Sequence, residues 1–137
     1  MRRNTGVKGK LGPEAKMQIA LVKWFRLQYP KYKKSLIRIG NEGRRSVQGH
    51  TNAIKAGMVP GASDLFLAVP SGPYYGFWME LKAKPLTMSE RQTEHVRRQQ
   101  DFINEMIALG YHGDFVCGLN EGIDKIKTYL NLKHKEI

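Results

Sequence analysis

Gly61-Ala62-Ser63-Asp64-Leu65-Phe66-Leu67-Ala68-Val69 and, a short turn later, Phe77-Trp78-Met79-Glu80-Leu81-Lys82 decide how this chain is read. Each couples an apolar run of β-strand character to a carboxylate at its end. Strand side chains alternate faces, so Glu80 and Lys82 point the same way, about 6–7 Å apart along the strand, while Leu81 turns into the core. Ser71-Gly72-Pro73 supplies a turn that folds the two runs into a hairpin and brings Asp64 and Glu80 to one end. Charges at apolar positions are costly unless they are paired or bound to metal. Two acids and a lysine converging at the edge of a core therefore read as a metal site.

Composition bounds what surrounds that site. The 137 residues are enough for one domain with a single sizeable core, and the expectation is one domain over 1–137 with residues 1–12 flexible. The one cysteine, Cys117, excludes an intramolecular disulfide and a multi-cysteine zinc site; it falls in an expected buried strand and reads as packing. His50, His95, His112 and His134 are scattered, without metal-ligand spacing, and read as mostly solvated. No apolar run is long enough to span a membrane, and the basic N-terminus lacks the apolar region of a signal peptide. The expected compartment is the cytoplasm. With 23 Lys+Arg against 12 Asp+Glu the formal charge is +11, which favours a polyanionic partner, nucleic acid first. A basic surface around a small acidic pocket suits a metal-dependent enzyme acting on phosphodiesters.

Outward from the hairpin, Pro13 opens an amphipathic helix with apolar positions Met17, Leu21, Trp24, Phe25 and Leu27, ending before Tyr29-Pro30. Ser35 to Ile39 reads as a short strand. Asn41 to Pro60 reads as loop, with one helical turn near Thr51 to Ala56. Beyond the polar connection at Lys84-Pro85, Ser89-Glu90-Arg91-Gln92 has the form of a capping box for a helix running to Leu109, closed by Gly110. Asp114 to Leu119 reads as a strand, and Asn120 as the cap of a last helix from Glu121 to about Leu130. The order helix, strand, strand, strand, helix, strand, helix implies an α/β fold: a mixed sheet flanked by helices.

Gly-x-x-Asp-Leu at 61–65, followed sixteen residues after the Asp by Glu80-Leu81-Lys82, resembles the metal-site pattern of the PD-(D/E)XK nuclease superfamily. Within it the chain is similar to the VRR-NUC branch, in particular its small stand-alone phage and bacterial members. The resemblance runs from Glu14 through Asn41-Glu42-Gly43, Gly57 to Leu65 and Met79 to Lys82, to a helix glutamine and Gly110-Tyr111. Ser63 stands where the family usually has proline before the motif aspartate; proline there shapes backbone rather than binding metal. The usual spacing to Gly-Tyr selects Gln99 as the helix glutamine. Gln92, two helical turns earlier on the same face, is the alternative, and Thr87 to Arg98 reads as an insertion or an N-terminal extension of the helix.

The resemblance implies a restriction-endonuclease-like fold and hydrolysis of DNA by Mg²⁺ or Mn²⁺, hard cations that prefer carboxylate, carbonyl and water ligands. It makes Asp64 and Glu80 direct ligands, the Leu81 carbonyl a third, and Glu14 a ligand directly or through water. Lys82 would orient the attacking water, and Gln99 would position Lys82 or the water. Arg38, Arg44, Arg45, Lys84, Arg91, Arg97 and Arg98 are candidate phosphate contacts. The family points further to structure-selective cutting of branched DNA, four-way junctions or flaps, by a homodimer. Two other functions stay open: a basic nucleic-acid-binding module without catalysis, and a sequence-specific restriction-like endonuclease.

Overall fold

The computed structural model describes residues 10–40 and 46–132. Asn41-Glu42-Gly43, Arg44 and Arg45 lie outside the described residues. Helix α1 (Pro13–Gln28) leads through a 3₁₀ turn (Pro30–Tyr32) to strand β1 (Leu36–Arg38). Helix α2 (Val47–Lys55) precedes β2 (Leu65–Leu67) and β3 (Phe77–Lys82); α3 (Met88–Arg91) and α4 (Glu94–Ala108) follow, then β4 (His112–Cys117) and α5 (Leu119–Leu130). The four strands form one sheet in the order β1-β2-β3-β4. The β1–β2 and β2–β3 pairs are antiparallel, and β3–β4 is parallel. Among the described residues no helix is long and apolar enough to cross a membrane.

The alternation in β3 divides the sheet into two faces of different chemistry. Phe77, Met79 and Leu81 turn to one side and are almost fully buried, together with Leu65 and Leu67 of β2, under Leu21 and Phe25 of α1 and Ile126 and Tyr129 of α5. This is the main core, and its burial holds the strand rigid. Trp78, Glu80 and Lys82 turn to the other side, where α4 packs through Val96 and Ile103 onto Phe115. Glu80 and Lys82 therefore sit on a strand fixed from behind by the core.

Four expectations are corrected. The stretch read as loop contains a nine-residue helix, α2, whose N-cap Ser46 accepts a hydrogen bond from the Gly49 backbone. It is short and buries no residue. The capping box is Thr87 with Glu90 rather than Ser89 with Gln92, both reciprocal bonds being present. The helix expected to run on from there breaks after Arg91 and restarts behind a second cap, Thr93, whose hydroxyl accepts from Val96. The last helix begins at Leu119 behind Gly118 rather than being capped by Asn120; the Glu121 carboxylate turns back to accept from the Cys117 amide at 2.8 Å.

Candidate active site

Asp64 sits one residue before β2. Since Leu65 pairs with Met79, continuing the antiparallel register sets Asp64 across from Glu80. Two backbone contacts hold it there. Its Oδ2 accepts from the Leu81 amide at 2.7 Å, and its carbonyl accepts from the Ile39 amide at 2.9 Å. The approach is shaped by Gly61, at φ +90°, which lies so close to α4 that a Cβ there would come within 2.7 Å of Arg98 Cγ and 3.0 Å of its carbonyl oxygen. The loop that delivers Asp64 is thus pressed against the helix that delivers Gln99.

Glu80 is the electrostatic centre, only 3% exposed. Its Oε2 accepts from Gln99 Nε2 at 3.0 Å and lies 3.9 Å from Lys82 Nζ. Its Oε1 is buried with no hydrogen-bond donor. Burial pushes its carboxyl up to about 9, and the charge of Asp64 and a hydrogen bond with that carboxylate add to the rise; Lys82 opposes it and Glu14 reinforces it. Two facing carboxylates have only acceptors to offer each other, so they need a shared proton or a cation between them.

That is the fit test for a divalent cation. A buried carboxylate oxygen without a donor, a second carboxylate within reach, and oxygen rather than sulfur or imidazole as the donor type all suit Mg²⁺ or Mn²⁺. Among the described residues no third His, Cys, Asp or Glu completes a metal-binding cluster, so Glu14, exposed in the first turn of α1, is felt at Glu80 as charge.

The sequence-selected residues separate clearly. Asp64, Glu80, Leu81, Lys82 and Gln99 come together. Gln92 does not; it sits at the break between α3 and α4, where its Oε1 accepts from Arg97 at 3.3 Å. The break also removes the common helical face that Gln92 and Gln99 were expected to share. Arg38, Lys84, Arg97 and Arg98 are exposed, and Arg98 pairs with Glu94 at 3.7 Å. One neighbour went unread. His95 Nε2 lies 3.2 Å from Gln99 Nε2, so the Gln99 amide reaches both Glu80 and an imidazole nitrogen. Its signal was the spacing of four residues from Gln99, one helical turn.

A solved structure described as a "VRR_NUC domain protein" has this fold: its TM-score is 0.73, covering 92% of this chain and 95% of that one, at 18% sequence identity. No protein-family model and no curated protein matches the chain.

Proposed function

We propose that this chain is a divalent-metal-dependent endonuclease of the VRR-NUC kind, hydrolysing DNA phosphodiester bonds at Asp64 and Glu80. The observation that carries the reading is the Glu80 carboxylate, buried with an undonated oxygen against a second carboxylate. Such a facing pair is satisfied only by a shared proton or by a cation, and a cation is what phosphodiester hydrolysis needs there. The shared fold with a VRR_NUC domain protein supports the same reading.

Asp64, Glu80 and the Leu81 carbonyl would hold Mg²⁺ or Mn²⁺, with Glu14 reaching it through water. When bound, the ion supplies a hydroxide nucleophile and stabilises charge on the phosphoryl oxygens. The chain's own groups do the rest. The Leu81 amide fixes one oxygen of Asp64 and leaves the other for the ion. Gln99 holds Oε2 of Glu80, which orients the carboxylate. Lys82, 3.9 Å from that oxygen and 8% exposed, carries an ammonium to the phosphate, where it orients the water and offsets developing charge. Arg38, Lys84, Arg97 and Arg98, with the +11 charge behind them, engage the backbone on either side.

The preferred substrate in this reading is branched DNA, a four-way junction or flap, cut by a homodimer with one site per protomer. Cleavage of a matched panel of single strand, duplex, flap and four-way junction, with Mg²⁺, Mn²⁺ or EDTA, tests it. Metal-dependent cutting that favours the branched substrates, by a species that light scattering shows to be a dimer, is the expected result. A monomer that cuts junction and linear duplex equally well would remove the structural selectivity.

A further inference from the structure

A second feature adjoins the acids. A cavity of about 500 Å³ opens between the sheet and α2, lined by Ile39, Ala53, Ala56, Ala62, Trp78 and Phe102 among others. Three chain segments give one residue to the cavity and another to the acid site a step further on, and a fourth, at Ile39, touches both. In β3, Trp78 precedes Glu80 by two residues on the same face, a separation of about 6–7 Å. In α4, Phe102 lies one helical turn from Gln99. Ala62 precedes Asp64 by two residues, and the Ile39 amide bonds the Asp64 carbonyl. The cavity therefore adjoins the acid site, although none of the acids lines it.

Its walls are mostly small side chains, with the rings of Trp78 and Phe102 among them. The Trp78 indole is held by Phe66, centroids 4.3 Å apart, and edge-on by Phe102 at 5.1 Å. The Trp78 Nε1 is buried with no hydrogen-bond acceptor, which is unusual for an indole N–H. The cavity lies in the size range of ligand pockets, and the partly exposed rings of Trp78 and Phe102 in its wall offer a surface on which a planar aromatic ring can stack. A strand whose phosphate lies at Asp64 and Glu80 carries such a ring on the adjoining sugar.

We propose that this cavity receives one unstacked nucleobase of the bound DNA, next to the phosphate at Asp64 and Glu80. The proposal rests on the nuclease reading for the position of that phosphate. It names the substrate feature selected there: a base free to leave its stack, as at a flap or junction rather than inside intact duplex.

The test uses single-stranded and flap oligonucleotides carrying 5-iodouracil at successive positions, bound in EDTA, irradiated, and mapped by mass spectrometry. The expected result is a crosslink to Trp78 or Phe102 from one position, kept in Asp64→Asn. It should be lost in Ala56→Leu and Ala53→Leu, which fill the cavity from α2 without touching the acids. Those two variants, shown folded by circular dichroism, should bind the flap about tenfold more weakly, the scale of one lost base–aromatic stack. Crosslinks only elsewhere, with wild-type affinity in both filled variants, would overturn the proposal even if the protein cleaves DNA. The mapped crosslink in a protein that cuts nothing with any metal would keep the base pocket and sink the nuclease reading instead.

Discussion

Asp64 is tied to the strand that carries its partner acid: its Oδ2 accepts from the Leu81 amide at 2.7 Å, between Glu80 and Lys82. One carboxylate oxygen is thereby committed to backbone, and the pair is locked whatever occupies the space between them. The lock forces two carboxyl groups together inside a protein of strongly positive charge, and the consequences are measurable.

The first is a pH dependence of stability. Glu80 titrates at about 9 when folded, against 4.5 as its ordinary value, raised first by burial and then by Asp64. Between those values the folded state binds the extra proton, so metal-free stability falls as pH rises through that window and the contribution is gone above it. His112, lowered by burial, acts in the opposite sense, adding stability as pH rises through its ordinary value of 6.5. The difference between wild type and Glu80→Gln isolates the glutamate. In melts from pH 5 to 9 without metal, Glu80→Gln should gain on wild type steadily as pH rises; parallel curves would show that Glu80 titrates normally.

Metal should reverse that loss. Mg²⁺ at ten times its Kd stabilises a folded protein by about 1.4 kcal/mol. For a domain of this size that is a rise in Tm of roughly 3–6 °C. The rise should be larger at pH 8 than at pH 6, because binding displaces the shared proton. A metal shift that is absent, or independent of pH, would place the ion elsewhere.

Lys82→Ala should slow cleavage by roughly 10²–10³-fold, the scale for removing a preorganised electrostatic group. Metal affinity measured by calorimetry should change little. Normal cleavage with lowered thermal stability would mark Lys82 as a structural partner of Glu80.

Gly61→Ala tests the loop that carries Asp64. The added Cβ meets Arg98 backbone at 3.0 Å as well as its flexible Cγ, and φ +90° strains any other residue. A cost of about 1–3 kcal/mol in denaturant unfolding is expected. Activity should fall further than stability explains, since relief requires the loop or α4 to move. Wild-type stability would mean that the contact yields freely.

The acids were legible because both end apolar runs, where a charge has no reason to stand, and because a Ser-Gly-Pro turn sets the runs antiparallel. The two faces of β3 followed from alternation alone. Gln99 was harder: Gln92 shared its helical phase only if one helix ran through both, and a second cap at Thr93, formed alongside the Thr87–Glu90 box, ends that continuity. Helix α2 was read only as one turn near Thr51 to Ala56 because it is short, buries no side chain and lies in a glycine-rich polar stretch. His95 gave no metal spacing since its contact is with an amide, not with the acids. The cavity at Trp78 could not be read at all, because its walls come from segments distant in sequence and only packing brings them together.

The most direct test is single-turnover cleavage of a flap or four-way junction in Mg²⁺ and Mn²⁺ by wild type, Asp64→Asn and Glu80→Gln, with folding checked by circular dichroism and DNA binding by anisotropy. Both variants should fold, bind DNA at least as tightly as wild type in EDTA, and lose roughly 10³-fold or more in rate. A folded Asp64→Asn or Glu80→Gln that cuts at the wild-type rate would contradict the assignment of the site.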